Sequence, residues 1–160
     1  MNSPLNVFVA AFEDQFFVCE FENSQISKPI KNRRNVKGII CIRSNNSDVV
    51  IAYPNENLGQ VNILTKDSNS SSTLVLSCHR NEIDMLDLSL DCSLVVTAST
   101  NGRNIKIFDV KRGGLLLQTV RRGFTSSVIF NLCIHPQNLF IMAASGTGTI
   151  HVFKVVSDQY

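Results

Sequence analysis

Hydrophobic residues recur along the chain in short runs that alternate with polar positions in the two-residue period of a β-strand. Clusters of Gly, Asn, Asp, Ser and Pro separate these runs, and no stretch keeps apolar residues at helical spacing over a helical length. The pattern therefore predicts an all-β chain. The predicted strands are Leu5–Ala11, Phe16–Phe21, Gly38–Ile42, Val49–Tyr53, Val61–Leu64, Leu74–Ser77, Ile83–Leu88, Leu94–Ser99, Ile105–Val110, Leu115–Val120, Val128–Ile134, Phe140–Ala144 and Ile150–Val156.

Part of this strand pattern occurs twice. The unit consists of two strands, a glycine and a third strand, and its second copy follows at an offset of 46 residues before the glycine and 45 after it. The first copy contains Gly102 and the second Gly148, and a weaker third copy contains Gly59. A repeat of about 40 to 45 residues with several short strands is typical of a β-propeller blade. Each blade is a four-stranded sheet that buries its faces against its neighbours.

Residues at characteristic positions of the repeat indicate blades of the WD40 type. His79 precedes one blade, Asp91 lies in its hairpin turn, and Phe108-Asp109 stands where the Trp-Asp signature would be. Blade boundaries are predicted at 1–37, 38–77, 78–122 and 123–160. The 160 residues thus hold about three and a half to four blades, whereas propellers close with about four to eight. We expect a partial β-propeller whose open blade edges favour self-association.

Composition narrows the class of protein further. The five cysteines are odd in number and form no C-x-x-C pair, which favours reduced thiols over disulfides or a zinc site. No apolar run is long enough to span a membrane, and the first residues lack a signal-peptide pattern, so a cytoplasmic chain is expected. Paired carboxylates and metal-ligand clusters are missing from the sequence. We therefore predict a protein without cofactor or metal that is not an enzyme.

One motif carries candidate binding chemistry. Val120-Arg121-Arg122-Gly123 follows a predicted strand, and neighbouring side chains on a strand point to opposite faces of its sheet. Each arginine can therefore reach a different groove between blades. The guanidinium fork is well suited to phosphate, and hydroxyl or imidazole groups at equivalent places in the two blades can add hydrogen bonds. These flanking residues are Ser99, Ser145, Thr149 and His151.

With this motif, the chain resembles the PROPPIN family of seven-bladed propellers that bind polyphosphoinositides in autophagy. The resemblance rests on the Arg-Arg-Gly signature between a blade that ends Ile-Phe-Asp and one that ends Gly-Thr-Ile-His-Val-Phe. It is strong over 74–153 and fair back to Val7. It implies two lipid headgroup sites, the first formed by His79, Ser99 and Arg121, and the second by Arg122, Ser145, Thr149 and His151.

The chain departs from the family pattern in several places. Arg103 follows Gly102 where the family commonly has threonine, a change that either adds a phosphate contact or blocks the first site by its bulk. Ala144-Ser145 replaces a common Ser-Ser pair, and Val120 stands in for a larger apolar residue. The family's membrane-inserting loop follows the strand that here ends near Val155, so we expect these 160 residues to lack it.

The resemblance implies a peripheral membrane protein of autophagosome formation. Its expected ligands are phosphatidylinositol 3-phosphate and phosphatidylinositol 3,5-bisphosphate, and its expected partners are autophagy proteins rather than nucleic acid. Its expected location is phagophore, autophagosomal, endosomal or vacuolar membranes. The alternative is a WD40 protein-interaction scaffold that binds no lipid.

Two features of the sequence remain open to different interpretations. For His79, contact with the lipid and support of the scaffold are equally favoured. A basic cluster could be a nonspecific membrane or nucleic-acid patch, but it lacks interleaved aromatic residues, which favours a solvated loop between blades. The cluster consists of Lys28, Lys31, Arg33, Arg34 and Lys37.

Overall fold

The computed structural model describes residues 7–20, 24–44, 48–67 and 70–156, and within them the chain forms four separate antiparallel sheets. The ends of two predicted strands, Leu5 and Phe21, lie outside the described residues. The first sheet contains β1 (Val7–Ala11), β2 (Gln15–Glu20), β3 (Gln25–Ile26) and β4 (Ile30–Lys31). The second contains β5 (Cys41–Ser44), β6 (Val49–Pro54), β7 (Gln60–Lys66) and β8 (Ser71–Ser77). The third contains β9 (Ile83–Leu88), β10 (Leu94–Ser99), β11 (Asn104–Asp109) and β12 (Leu115–Arg121), and the fourth contains β13 (Ile129–Ile134), β14 (Phe140–Ser145) and β15 (Thr149–Lys154).

The second, third and fourth sheets are simple meanders in which each strand pairs with the next one along the chain. Their first strands, β5, β9 and β13, lie side by side, while β8 and β12 are the last strands of their sheets. This radial arrangement is that of propeller blades, so the predicted all-β, partial propeller is confirmed. In the described ranges no helix has the length and apolar character needed to cross a membrane.

Apolar side chains fill each space between neighbouring sheets. Phe16 and Ile51 are fully buried between the first and second sheets, and Val61 is fully buried in the layer shared by the second and third. Ile105 and Ile141 occupy the layer between the third and fourth. Each fully buried side chain of this size stabilises the fold by about 1.5 to 3 kcal/mol. Each sheet is thus stable only when it packs against the neighbouring sheets.

Asp87 on β9 ties three sheets together near their first strands. Its Oδ1 accepts a hydrogen bond from the Arg43 guanidinium of β5 at 2.8 Å, and its Oδ2 accepts one from the backbone N–H of Ile134 on β13 at 3.0 Å. The Cys41 thiol also lies 3.4 Å from Oδ1. One half-buried carboxylate therefore fixes the relative position of the second, third and fourth sheets.

The strands differ from the sequence-based prediction in three places. The two short strands β3 and β4 were not predicted, because two-residue segments carry no readable alternation; each pairs with one end of β2. The strand β5 begins three residues later than expected. The strand predicted to begin at Leu74 begins instead at Ser71, since Ser71 and Ser72 pair with β7.

The basic cluster that was expected to be a solvated loop is largely engaged in ion pairs. Arg33 contacts Glu82 at 2.9 Å across to the third sheet, Lys37 pairs with the buried Asp84, and Arg34 pairs with Glu13. The cluster is nevertheless a solvent-exposed loop as expected, since the side chains of Arg34 and Lys37 are 78% and 60% exposed. The sequence did not reveal the ion pairs, because the carboxylate partners lie 21 to 49 residues away in the sequence. These charges hold the loop against the sheets.

Candidate ligand site

Polar side chains collect at one end of the third sheet. Thr97 lies directly opposite Lys106 across the β10–β11 pair, and Asn104 lies opposite Arg121 across the β11–β12 pair. Ser99 ends β10 on the same face as Thr97, because side chains alternate along a strand. The face that is apolar near the middle of the sheet thus becomes a hydrogen-bonding surface at this end.

This surface forms one wall of a cavity of about 360 Å³ between the second and third sheets. The cavity brings together all three residues predicted for the first headgroup site, His79, Ser99 and Arg121. Its volume lies within the range that is usual for small-ligand sites. The residues that the sequence grouped by motif are thus neighbours in space.

Three further cations and three amides line the same cavity. Arg80 and Asn81 follow His79, Asn101 and Asn104 flank the turn after β10, and the other two cations are Arg103 and Lys106. Lys106 had a weak sequence signal, because it is a charged residue that alternates with apolar residues in the predicted strand Ile105–Val110. Arg80 had no such signal, since only the tertiary structure places it at the cavity.

His79 is held as a neutral group at the base of the cavity. Its Nε2 lies 3.1 Å from Thr97 Oγ1 and 3.3 Å from the Thr97 carbonyl oxygen. Burial lowers the pKa of His79 to about 4, and the nearby positive charge of Lys106 contributes in the same direction. The imidazole is therefore uncharged at neutral pH. The hydrogen bonds to Thr97 favour its scaffold role, while the ring still borders the cavity.

Gly59 fixes the backbone position of His79. Its carbonyl oxygen accepts hydrogen bonds from the N–H groups of Cys78 at 3.0 Å and His79 at 2.9 Å. Gly59 has φ +69°, and a Cβ added there would lie 1.9 Å from the His79 carbonyl oxygen. Only glycine fits this left-handed turn. The glycine of the weaker third repeat copy therefore holds the backbone of His79 in position.

The two arginines of the motif have different surroundings. Arg121 is exposed and borders the cavity, and its guanidinium carbon lies 4.1 Å from the centre of the Phe124 ring. A cation held over an aromatic face keeps its charge and loses rotamer freedom. Arg121 thus borders the cavity beside the Phe124 ring, and no carboxylate of the described residues pairs with it.

Arg122 is buried, and its guanidinium makes hydrogen bonds to two backbone carbonyl groups. Its Nε donates to the Gly102 carbonyl at 2.8 Å, and Nη2 donates to the Thr125 carbonyl at 2.7 Å. The three other residues predicted for the second site are bonded to one another and not to Arg122 within the described ranges. Arg122 therefore closes the loop after β12 in this structure, a role that sequence reasoning did not anticipate.

The other residues predicted for the second site do come together. Ser145 Oγ lies 3.0 Å from Thr149 Oγ1, which lies 2.8 Å from His151 Nε2. Thr147, which was not predicted, joins the cluster through contacts of 2.8 Å and 2.9 Å to the two hydroxyls. The His151 ring also stacks on Phe153. This hydroxyl cluster offers several hydrogen-bond donors and no permanent positive charge.

The cysteines do not form a reactive site. All five are free thiols, and burial raises the pKa of both Cys41 and Cys78 to about 11. These two thiols stay protonated at neutral pH, although Cys78 precedes His79. Among the described residues no group of three or more His, Cys, Asp or Glu side chains is placed to hold a metal ion.

Four separate antiparallel sheets packed side by side define a partial β-propeller, and arginine, histidine and hydroxyl side chains lie in the grooves between its blades. Comparison with known proteins specifies the family, because the PROPPIN family model matches residues 5–159. The chain therefore belongs to the PROPPIN family.

Curated relatives are consistent with this assignment. The chain is 33% identical over 150 residues to autophagy-related protein 18e of Arabidopsis thaliana, an alignment that covers 94% of this chain and 39% of the relative. It is 29% identical over 154 residues to autophagy-related protein 18 of Caenorhabditis elegans, which covers 94% of this chain and 37% of that one. The chain thus spans less than half the length of these relatives.

Solved structures show the same fold. Hsv2 of Kluyveromyces lactis matches with a TM-score of 0.79 at 23% identity, over 99% of this chain and 51% of that one. KlAtg21, in its complex with the coiled coil of AgAtg16, matches with a TM-score of 0.75 at 22% identity, over 96% of this chain and 51% of that one. The four sheets correspond to about half of a known propeller.

Proposed function

We propose that this chain binds phosphatidylinositol 3-phosphate and phosphatidylinositol 3,5-bisphosphate on membranes and acts in autophagosome formation. The observation that carries the proposal is the cavity beside Arg121, whose lining among the described residues is rich in cations and hydrogen-bond donors and includes no carboxylate. A phosphate group needs this environment, since charge-assisted hydrogen bonds are the strong ones.

The role is binding rather than catalysis. The protonated thiols and the neutral His79 supply neither a nucleophile nor a base of suitable pKa next to one. The headgroup sites comprise His79, Ser99 and Arg121 in the cavity and Ser145, Thr149 and His151 in the hydroxyl cluster. Arg122 belongs to the second site in this proposal, on the strength of the Arg-Arg-Gly motif.

The membranes concerned are those of the phagophore, autophagosome, endosome or vacuole, where these lipids would recruit the protein. Autophagy proteins are the proposed partners. Support for them comes from the autophagy-related names of the relatives and from the solved complex of KlAtg21 with a coiled coil of AgAtg16.

The proposal is tested by flotation of the chain with phosphatidylcholine vesicles that contain either lipid. Arg121→Thr should lower the affinity for the vesicles, measured over a lipid titration, about tenfold or more, since a charge-assisted hydrogen bond contributes about 1.5 to 3 kcal/mol. Binding should also weaken as salt is added, because exposed charges are screened.

The matched control is Lys111→Thr, which removes one exposed positive charge at the other end of β11. It should leave the bound fraction within about twofold, since it lies outside the cavity. Unchanged flotation in Arg121→Thr, or no binding of the original chain above plain phosphatidylcholine, would refute the lipid assignment. A coiled-coil pull-down that persists without lipid would then favour the scaffold alternative.

A further inference from the structure

A second cavity, of about 310 Å³, lies between the third and fourth sheets. It is at the strand ends where Asp109 pairs with Leu115, whereas Arg121 pairs with Asn104 at the other end of the third sheet. Its lining combines apolar side chains with the side chain of Arg112. None of the residues assigned above to the headgroup sites lines it. The proposed function therefore does not involve this cavity.

Two hydrogen-bonded bridges between the sheets hold the walls of the second cavity in place. In one, Nδ2 of Asn138 on the fourth sheet donates to Asp91 Oδ1 on the third at 3.1 Å. In the other, the Gln118 side chain of β12 donates to the Lys154 carbonyl at 3.3 Å and accepts from the Val156 N–H at 3.1 Å. The cavity is therefore preformed, and a ligand that enters it meets a low cost of ordering the protein.

The second cavity offers an apolar contact surface. Leu94 and Val155 are largely buried in the core layer between the two sheets, whereas Leu117 is only partly buried against it. Leu117 has no counterpart on β11, because the register shifts there, and such a bulge redirects a side chain. Leu139 and Val156, which adjoin lining residues in the sequence, are 48% and 55% exposed. An apolar side chain of a partner thus finds apolar groups to pack against.

The accessible charge beside the second cavity is positive. Asp109 is the carboxylate of the lining, and it is engaged by Arg112, whose Nε lies 2.7 Å from Oδ2. The Arg112 side chain is 49% exposed, and its terminal Nη groups make no hydrogen bond to the described residues. Lys111 and Lys154 are exposed at the same end of the sheets, and no described carboxylate pairs with them. A ligand with carboxylates complements this charge.

We propose that the second cavity docks a peptide segment of a partner protein in which acidic residues flank a leucine or a similar apolar side chain. The apolar side chain packs on Leu117, and the acidic residues pair with Arg112, Lys111 and Lys154. A nucleic acid fits less well, because no aromatic ring of the described residues lines the cavity. Since this cavity and the one beside Arg121 lie at opposite ends of the third sheet, a partner and a lipid can be bound together.

The proposal is tested with three end-blocked peptides that carry the same fluorescent label. Their sequences are Glu-Glu-Leu-Glu-Glu, Glu-Glu-Ser-Glu-Glu and Lys-Lys-Leu-Lys-Lys. Fluorescence anisotropy should show that the 160-residue chain binds the first with a dissociation constant below about 1 mM. The other two should bind roughly tenfold more weakly, because one lacks the apolar side chain and the other lacks the carboxylates.

Variants of the chain locate the contact. Arg112→Gln should lower the affinity for the acidic leucine peptide about tenfold, since it removes charge-assisted hydrogen bonds. Lys154→Gln, which leaves the turn held by Asp109 intact, should lower it about threefold. The matched control is Lys28→Gln, which removes an exposed charge between β3 and β4 and should preserve the affinity within about twofold. Amide chemical shifts that change on binding should centre on 109–112, 117 and 138.

Several results would overturn the proposal. They are no binding of the acidic leucine peptide up to about 1 mM, equal affinity for the three peptides, and equal effects of Arg112→Gln and Lys28→Gln. Chemical-shift changes centred on Arg121 would place the peptide in the other cavity and would also overturn it. So would displacement of the peptide by single-stranded RNA or phosphatidylserine vesicles as readily as by unlabelled peptide. Lipid flotation should be unchanged in Arg112→Gln, so a failure of the original chain to bind lipid refutes the proposed function alone.

Discussion

At the scale of single residues, His79 is a polar group that borders a cavity lined by cations and carries no charge itself. The ring is largely enclosed, its Nε2 bonds Thr97, and its pKa is lowered to about 4. Nε2 lies within hydrogen-bond distance of both the hydroxyl and the carbonyl oxygen of Thr97, so this nitrogen is engaged by the fold. The neutral ring therefore lies beside the cations of the cavity without adding to their mutual repulsion.

The lowered pKa predicts how stability depends on pH. In the unfolded chain His79 titrates near its ordinary value of 6.5, so between pH 6.5 and 4 the unfolded state binds the extra proton. Stability should therefore fall as pH decreases through that window, by about 1.4 kcal/mol for each unit of pKa difference. Urea denaturation at several pH values measures this.

The comparison variant is His79→Gln, which keeps an amide donor and cannot titrate. Its stability should decline less than that of the original chain between pH 6.5 and 4. This window lies above the pH range in which Asp91 and Asp109, whose pKa values are lowered from 3.8, lose their contribution in both proteins. Parallel pH curves for the two proteins would show that the imidazole is not held neutral by the fold.

At the scale of structural elements, tight turns position the binding residues. The turn before β7 presses Gly59 against the His79 backbone, and the turn after β10 places Gly102 where a Cβ would lie 1.8 Å from the Ser127 carbonyl oxygen. Both glycines have positive φ. Each turn thus joins one sheet closely to the next, and the grooves that hold the candidate sites depend on these contacts.

Gly59→Ala should therefore be strongly destabilising. A left-handed backbone costs a non-glycine residue about 1 to 3 kcal/mol, and the new Cβ would also collide with the His79 carbonyl. The matched control is Gly38→Ala, where φ is +63° and nothing lies within 4 Å of the added Cβ. The measurement is the free energy of unfolding in urea, in which Gly59→Ala should lose at least about 2 kcal/mol more than the control. Equal losses would show that the contact with His79 is not rigid.

At the scale of the whole molecule, the fourth sheet exposes an apolar face. Met142 on β14 lies opposite Val152 on β15, and next to them Ile150 is 73% exposed. The alternate residues Ile141 and Ala143 are fully buried against the third sheet. Within the described part of the chain, β15 pairs on one side only. A sheet with an apolar outer face and an open edge is prone to associate.

The 160-residue chain should accordingly self-associate in a concentration-dependent way, as sedimentation velocity would show. Val152→Lys should weaken association about tenfold or more, because it places a charge at the centre of the apolar face. Val75→Lys is the control, since Val75 is also about half exposed but belongs to β8, the last strand of the second sheet. A monomer at all concentrations, or an equal effect of the two variants, would exclude this face as the contact.

The sequence alone determined the class of fold and the motif. Strand alternation is a local property, so β6, β9, β10 and β14 could be located to within about one residue from their apolar runs, and the glycines at fixed offsets identified the repeat. The same alternation indicated that Arg121 and Arg122 point to opposite faces. Local periodicity could not locate β3 and β4, because two residues are too few to show it.

Only the tertiary structure decided which charges are free and which are paired. The sequence placed Arg33 and Lys37 in a solvated basic loop, but it could not show that carboxylates at the third sheet pair with them. Arg122 looked equivalent to Arg121, yet it is buried on the carbonyls of Gly102 and Thr125. The residue type sets the charge of a side chain, but whether that charge is available to a ligand depends on partners brought together by the packing of whole sheets.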